Sequence, residues 1–179
     1  LLVNDGSTDH TAQILSAYID IAVIHFPNNQ GKGMALRAGF KQAKEEGYTY
    51  AITIDSDGQH YPSDIALFLA EIKALTAPTL LIGSRNMTQS SVPKKSSFGN
   101  RFSNFWFWVE TGIKLSDTQS GFRAYPLQGI SNRFFTRKFE FEIEVIVRAA
   151  WRGTAVRNIP IRVLYDPAER VSHFRPFQD

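Results

Sequence analysis

No cysteine occurs among the 179 residues, which excludes disulfides and zinc–thiolate centres and fits a reducing compartment. No apolar run approaches the roughly 20 residues that a membrane-spanning helix needs, so this chain by itself is expected to be soluble. Internal repeats and low-complexity tracts are absent, no signal peptide is read in the sequence, and it starts with Leu rather than Met inside a strand-like run. Charge of one sign is also scarce. The net charge is +3, with Lys and Arg concentrated after Leu81. That mild excess suits a phosphate-bearing ligand or an anionic membrane surface better than duplex nucleic acid. Aromatic side chains are plentiful, with 14 Phe and three Trp, and the length suits one domain with a real core.

Short apolar runs alternate with helical spacing over the first half. Leu1–Val3 reads as a strand closed by Asn4-Asp5-Gly6-Ser7. A helix capped by Thr8 or Asp9 follows, with Ala12, Ile14, Leu15, Tyr18 and Ile19 as its apolar positions. Strands are expected at Ile21–Phe26, Tyr50–Ile54 and Thr79–Ile82, and helices at Lys32–Glu46 and Ser63–Leu75. This order predicts an α/β domain with a parallel sheet and right-handed crossovers. Beyond Arg85 the pattern changes. Asn86–Ser97 reads as a long polar loop, and Phe98–Val109 as an aromatic helix. Its aromatics cover too much of the circumference for one wet face, which points to a helix wedged into the core. The alternative is an aromatic surface meeting lipid, with Lys94, Lys95 and Arg101 beside it. A polar turn from Ser116 leads into a strand ending near Tyr125, and a helix is expected over Phe139–Trp151. The acidic residues of its first turn, Glu140, Glu142 and Glu144, suit the helix dipole. Val156–Ile159 and Ile161–Tyr165 form a last strand pair broken by Pro160, and Glu169–Arg175 is a basic tail.

Two stretches carry chemistry. Asp55-Ser56-Asp57-Gly58-Gln59-His60 puts two carboxylates at the end of a buried strand, where open α/β sheets bind ligands. Hard oxygens there suit Mg²⁺ or Mn²⁺ held jointly with phosphates; the plainer alternative is a strand cap and an Asx turn. A calcium loop is excluded because Ala66 stands where a bidentate Glu is required. Gly31-Lys32-Gly33 opens a helix and suits a phosphate held by backbone N–H groups and an ammonium, or is a plain helical first turn. It lacks the third glycine of a dinucleotide fingerprint and the Ser/Thr of a P-loop.

Val3-Asn4-Asp5-Gly6-Ser7-Thr8-Asp9, Asn29-Gln30-Gly31-Lys32-Gly33 and the Asp55–His60 stretch, in that order, resemble the family 2 glycosyltransferases. Gly83-Ser84-Arg85, Asp117–Arg123 and Phe139-Glu140-Phe141-Glu142 resemble their dolichyl-phosphate mannose synthase branch. The resemblance implies a GT-A, Rossmann-like fold with a mostly parallel sheet, a nucleotide-sugar donor, a divalent metal and inversion at the anomeric carbon. It implies that Asp5 meets the nucleobase, that Lys32 and Gly31 lie near the donor phosphates, and that Asp55, Asp57 and Gln59 contact the metal and donor. The usual first strand and its Pro-x-Tyr-Asn-Glu turn have no counterpart, so the first βα unit is expected to be absent and the chain truncated at both ends. A single domain is expected over 1–179, with a donor half at 1–85 and an acceptor half at 86–179.

On this reading the acceptor is polyprenyl or dolichyl phosphate, or else a glycan hydroxyl. A phosphate is already ionised near neutral pH and needs no base. Arg85 and Arg123 would grip it bidentately. A hydroxyl needs a base, for which Asp117 is the candidate. With the membrane-bound acceptor, the expected location is the cytoplasmic face of a membrane, in peripheral contact.

Overall fold

The computed structural model describes residues 1–85, 94–131 and 133–164, with residues 94–97 described by backbone alone. The long loop and the basic tail read from the sequence therefore lie mostly or wholly outside the described residues.

β1 (Leu2–Asn4) pairs in parallel with β2 (Val23–His25), flanking the short helix α1 (Thr11–Leu15). The longer helix α2 (Lys32–Glu45) then leads to β3 (Tyr50–Thr53). A 3₁₀ turn at Pro62–Asp64 opens α3 (Ile65–Ala74), and β4 (Thr79–Ser84) follows. After α4 (Lys94–Thr111) come β5 (Arg123–Pro126), α5 (Phe141–Trp151) and β6 (Ala155–Pro160). The second sheet has the order β3-β5-β4-β6, and only β5 runs against the others. The expected mostly parallel α/β architecture is what the chain adopts, with one reversed strand inserted between β3 and β4. Among the described residues no strand joins β1 to β3, so the chain holds two sheets rather than one.

β4 is buried along nearly its whole length, as an interior strand reading Thr-Leu-Leu-Ile-Gly-Ser requires. Alternation splits its side chains between two cores. Leu80 and Ile82 pack with Phe40, Phe107, Tyr125, Phe141 and Val145, on the side of α2, α4 and α5. Leu81 points the other way, to Phe68, Phe122 and Ile161 beneath α3, where the Phe68 and Phe122 rings stack at 4.6 Å.

Several boundaries differ from the expected ones. α1 stops at Leu15 with no buried residue, leaving Ile14, Tyr18 and Ile19 exposed. The stretch after Pro160 is not a second strand; only Val163 makes an isolated antiparallel bridge, to His60. α4 begins at Lys94, four residues earlier than expected, and it is not wedged into the core. Of its aromatics only Phe107 is buried; Phe98 is 72% exposed and Phe102 58%, with Phe105, Trp106, Trp108 and Val109 also outward. The inward face is polar, because Asn100, Ser103 and Asn104 satisfy the 116–118 turn beneath it. No helix among the described residues is long and apolar enough to cross a membrane.

Glu144 shows how the start of α5 is anchored. Its carboxylate accepts from the Phe135 and Thr136 N–H groups, the Thr136 hydroxyl and Arg148 Nε. Burial alone would push this acid up, but these donors outweigh it and bring it down to about 2. A depressed acid contributes stability above its unfolded value of 4.5 and loses it as the pH falls towards 2. Glu144→Gln is expected to lower stability at pH 7 by about 1–2 kcal/mol. The gap from the unchanged protein should narrow between pH 5 and pH 3 in urea titrations; a gap that is constant with pH would refute the assignment.

Candidate active site

The candidate residues gather where β1, β3 and β4 end, at the start of α2, at the first turn of α5 and around the 116–122 turn. The loop entering α2 is set by Asp5. Its two carboxylate oxygens accept the Gln30 N–H at 2.7 Å and the Gly31 N–H at 2.9 Å. Gly6 takes a positive φ of 67° so that its backbone can lie against Asn28. Asp5 is therefore engaged by the protein's own backbone rather than open on all sides to a nucleobase.

Gly31 and Gly33 have a packing reason. A Cβ on Gly33 would stand 2.6 Å from both Arg137 O and Phe141 Cβ, and one on Gly31 2.9 Å from Arg137 O. The two glycines thus let the start of α2 press against the segment entering α5. That approach carries Lys32 between two carboxylates, with Nζ 2.8 Å from Asp55 Oδ1 and 2.7 Å from Glu142 Oε2. Burial alone would weaken the ammonium, but Glu142 and Asp55 more than offset it and the Lys32 pKa rises.

Asp55 is held from a third side by Gly121, where a Cβ would lie within 2.6 Å of all three atoms of its carboxylate. Thr53 Oγ1 donates to Gly121 O at 2.9 Å and fixes this approach. Asp57 is exposed, and one oxygen accepts the Gln59 N–H at 3.0 Å in an Asx turn. Gln59 is anchored in turn by its carbonyl, which accepts from the Leu164 N–H. His60 packs its ring edge on Phe122 at 5.4 Å. Burial holds its imidazole below the ordinary value, although Asp55 and Asp57 pull the other way. Its Nδ1 has no hydrogen-bond partner among the described residues.

On the acceptor side Arg85 and Asp117 are brought together. Arg85 Nε and Nη2 donate to Asp117 Oδ2 at 2.7 Å and Oδ1 at 3.0 Å, and the Arg85 and Gln119 N–H groups donate to the same carboxylate. Asp117 is fully buried. As a base for a hydroxyl acceptor it would first have to give up these partners, because both oxygens are occupied and no face reaches solvent. Arg123 is engaged likewise. It is 0% exposed, and its guanidinium donates to Ser120 O, Thr118 O, Glu142 O and Tyr125 Oη. A buried fork with this many internal acceptors binds the chain to itself, not a phosphate. Its neighbour Tyr125 is pushed up to about 12 by burial, so its hydroxyl is un-ionised.

Three contributors were not singled out from the sequence. Glu142 was assigned to the helix dipole, yet it is 7% exposed and lies one and two turns before Val145, Ile146 and Ala149 on the buried stripe of α5. That i, i+3, i+4, i+7 spacing is the signal that marks it. Gly121 sits in a quoted motif whose close approach to Asp55 only the fold reveals. Asn158 pins the 116–117 turn, accepting from Ser116 and Asp117 N–H and donating to Asp117 O.

Among the described residues no group of three or more His, Asp or Glu side chains is arranged to hold a metal. Two hard carboxylates, Asp55 and Asp57, instead follow the end of β3, a donor set that would suit a cation whose remaining ligands come from a bound phosphate.

The sequence profile of glycosyl transferase family 2 matches residues 1–138. The UDP-N-acetylglucosamine–dolichyl-phosphate N-acetylglucosaminyltransferase of Methanococcus voltae is 27% identical over 92% of this chain and 74% of its own length. The polyprenol monophosphomannose synthase of Mycolicibacterium smegmatis is 28% identical over 90% of this chain and 64% of its own. Among solved structures, glucosyl-3-phosphoglycerate synthase from Mycobacterium tuberculosis, crystallised with Mn²⁺, UDP-glucose and glycerol 3-phosphate, superposes with a TM-score of 0.64. It is 18% identical, and the match covers 94% of this chain and 62% of that one, a likeness of GT-A fold. With the profile matched over well more than half of its length, the chain belongs to glycosyltransferase family 2.

Proposed function

We propose that this domain transfers a hexose from a GDP- or UDP-sugar to a polyprenyl or dolichyl phosphate, with inversion at the anomeric carbon and with Mg²⁺ or Mn²⁺. The observation that carries this reading is Asp55, fixed between Lys32 and Gly121 at the end of β3 with Asp57 two residues on. Residues 1–85 form the donor half and residues 86–179 the acceptor half. Asp55, Asp57 and Gln59 would hold the ion, and Lys32 and Gly31 lie on the diphosphate side. When bound, the ion supplies charge stabilisation to the departing diphosphate. Asp5 orders the loop on which the nucleobase would rest.

The choice of acceptor turns on Asp117. A hydroxyl acceptor would require this carboxylate to release Arg85 and take a proton. A lipid phosphate requires no proton transfer, and Asp117 can keep Arg85 aimed at it. Both names reported for the curated relatives above also specify a dolichyl or polyprenol acceptor. The outward aromatics of α4, with Arg101 and Lys114 nearby, suit a peripheral resting place on the cytoplasmic face of a membrane, where such an acceptor is embedded.

The full-length gene product is expected to convert polyprenyl phosphate to a glycosyl phosphoprenol with Mn²⁺ and one member of a GDP- and UDP-sugar panel. Transfer solely to a glycan hydroxyl would sink this acceptor assignment. Asp57→Ala should reduce transfer by about 10²-fold or more with circular dichroism unchanged, and undiminished turnover would exclude the residue from the site. Gly121→Ala should drive the Asp55 carboxylate out of place and weaken Mn²⁺-dependent nucleoside diphosphate binding about tenfold or more. Calorimetry on both proteins checks this, and equal affinities would remove Gly121 from the site.

A further inference from the structure

We propose that Lys32 is a resident counter-cation standing in for the divalent ion in the donor-free protein, and that Glu142 is the positioning residue to which it withdraws when the ion binds. The inference rests on the reading of Asp55 and Asp57 as ligands of that ion. One ammonium here serves two carboxylates, with Nζ 2.8 Å from Asp55 Oδ1 and 2.7 Å from Glu142 Oε2. A dication at Asp55 and an ammonium on the same oxygen repel each other, so the two occupy it in turn. Glu142 supplies the second position. Its Oε1 accepts no hydrogen bond among the described residues and lies 3.7 Å from Arg123 Nη2. Lys32 can therefore exchange Asp55 for the remaining oxygen of Glu142 without leaving a buried charge unpaired.

The backbone around this exchange is fixed. Gly31 and Gly33 press the start of α2 against Arg137 and Phe141, and the Met34 N–H donates to Arg137 O. Only the flexible four-carbon stem of Lys32 has to move, over the Phe139 ring that it already faces at 6.0 Å. An incoming diphosphate gives the displaced ammonium an anion of its own. Ion and nucleoside diphosphate then help each other bind, because each relieves the competition for Asp55. A purely structural ion pair would leave the coupling unchanged when Lys32 is replaced.

The test is a Mn²⁺ titration of the full-length protein, reading unbound Mn²⁺ by electron paramagnetic resonance, alone and with UDP or GDP. Lys32→Met should tighten Mn²⁺ alone by about tenfold and shrink its enhancement by the diphosphate to the part that direct phosphate ligation of the ion supplies. Lys41→Met, which removes the same charge from an exposed position on α2, should change Mn²⁺ affinity by less than about twofold. Glu142→Gln should weaken Mn²⁺ about tenfold when Lys32 is present and have no effect in the Lys32→Met background. Equal effects of Glu142→Gln in the two backgrounds, or a Lys32→Met affinity no tighter than that of Lys41→Met, would overturn the proposal. Should Glu142→Gln fail to fold by circular dichroism, the comparison of the two lysine variants decides alone. An unaltered protein that binds no Mn²⁺ with either nucleotide would remove the metal reading itself, and this inference with it.

Discussion

The bridge from Glu142 through Lys32 to Asp55 is the constraint on which the donor side of this domain depends. A carboxylate nearly closed off from water needs a partner, or its desolvation is uncompensated. Lys32 is that partner for Glu142, and its second contact reaches the end of β3. Three elements far apart in sequence, α2, β3 and α5, are thereby fixed on one another at the point where ligand would enter. The glycines around Lys32 serve this bridge. Without them the start of α2 would stand off from Arg137, and the ammonium would fall short of Glu142.

Around the 116–118 turn, neutral amides join the charged groups of Arg85 and Arg123 in holding the chain. Asn100, Asn104 and Asn158 take up the backbone of residues 116–118, so a turn without regular structure stays buried with its polar groups satisfied. This requirement turns α4 inside out. Its asparagines must face inward to reach the turn, and the aromatics that share the helix are left facing outward. The exposed aromatic face and the ordered Asp117 turn are thus two consequences of one helix orientation. Among the described residues nothing covers this apolar outer face, so the helix carries its aromatics into the open for the sake of the turn beneath it.

Much of this was legible in the sequence, where period and punctuation carry the information. The run Thr79–Ile82 reads as a strand, which the structure extends to Ser84, and the Asp55–Asp57 pair at a strand end lies where βα order puts it. What could not be read were contacts made across the chain. Nothing local distinguishes Arg123 as a buried fork from Arg123 as a phosphate ligand, since both uses need five donors in one plane. The partner of Asp117 was hidden for the same reason: a carboxylate in a polar turn has the same local sequence whether it is a base or the partner of a distant arginine. The reversed direction of β5 was also hidden, because pairing order is a non-local property. Glu142 was the avoidable omission, since its place on the apolar stripe of α5 was visible in the spacing.

Arg123 then acquires a different importance from the one first assigned to it. One Nη1 proton goes to Glu142 O, on the donor side, while Nη2 goes to Thr118 O and Nε to Ser120 O, on the acceptor turn. Burial would weaken the charge of this guanidinium, but Tyr125 and Glu142 offset that and its pKa is raised, so it remains a cation. The same residue therefore sets the backbone of Glu142, which holds Lys32, and the turn that carries Asp117, which holds Arg85. The two half-sites share a single rigid member rather than a flexible link. Group transfer needs donor and acceptor held within a small fraction of a bond length of their reactive separation, and a buried fork fastened at both ends supplies that rigidity.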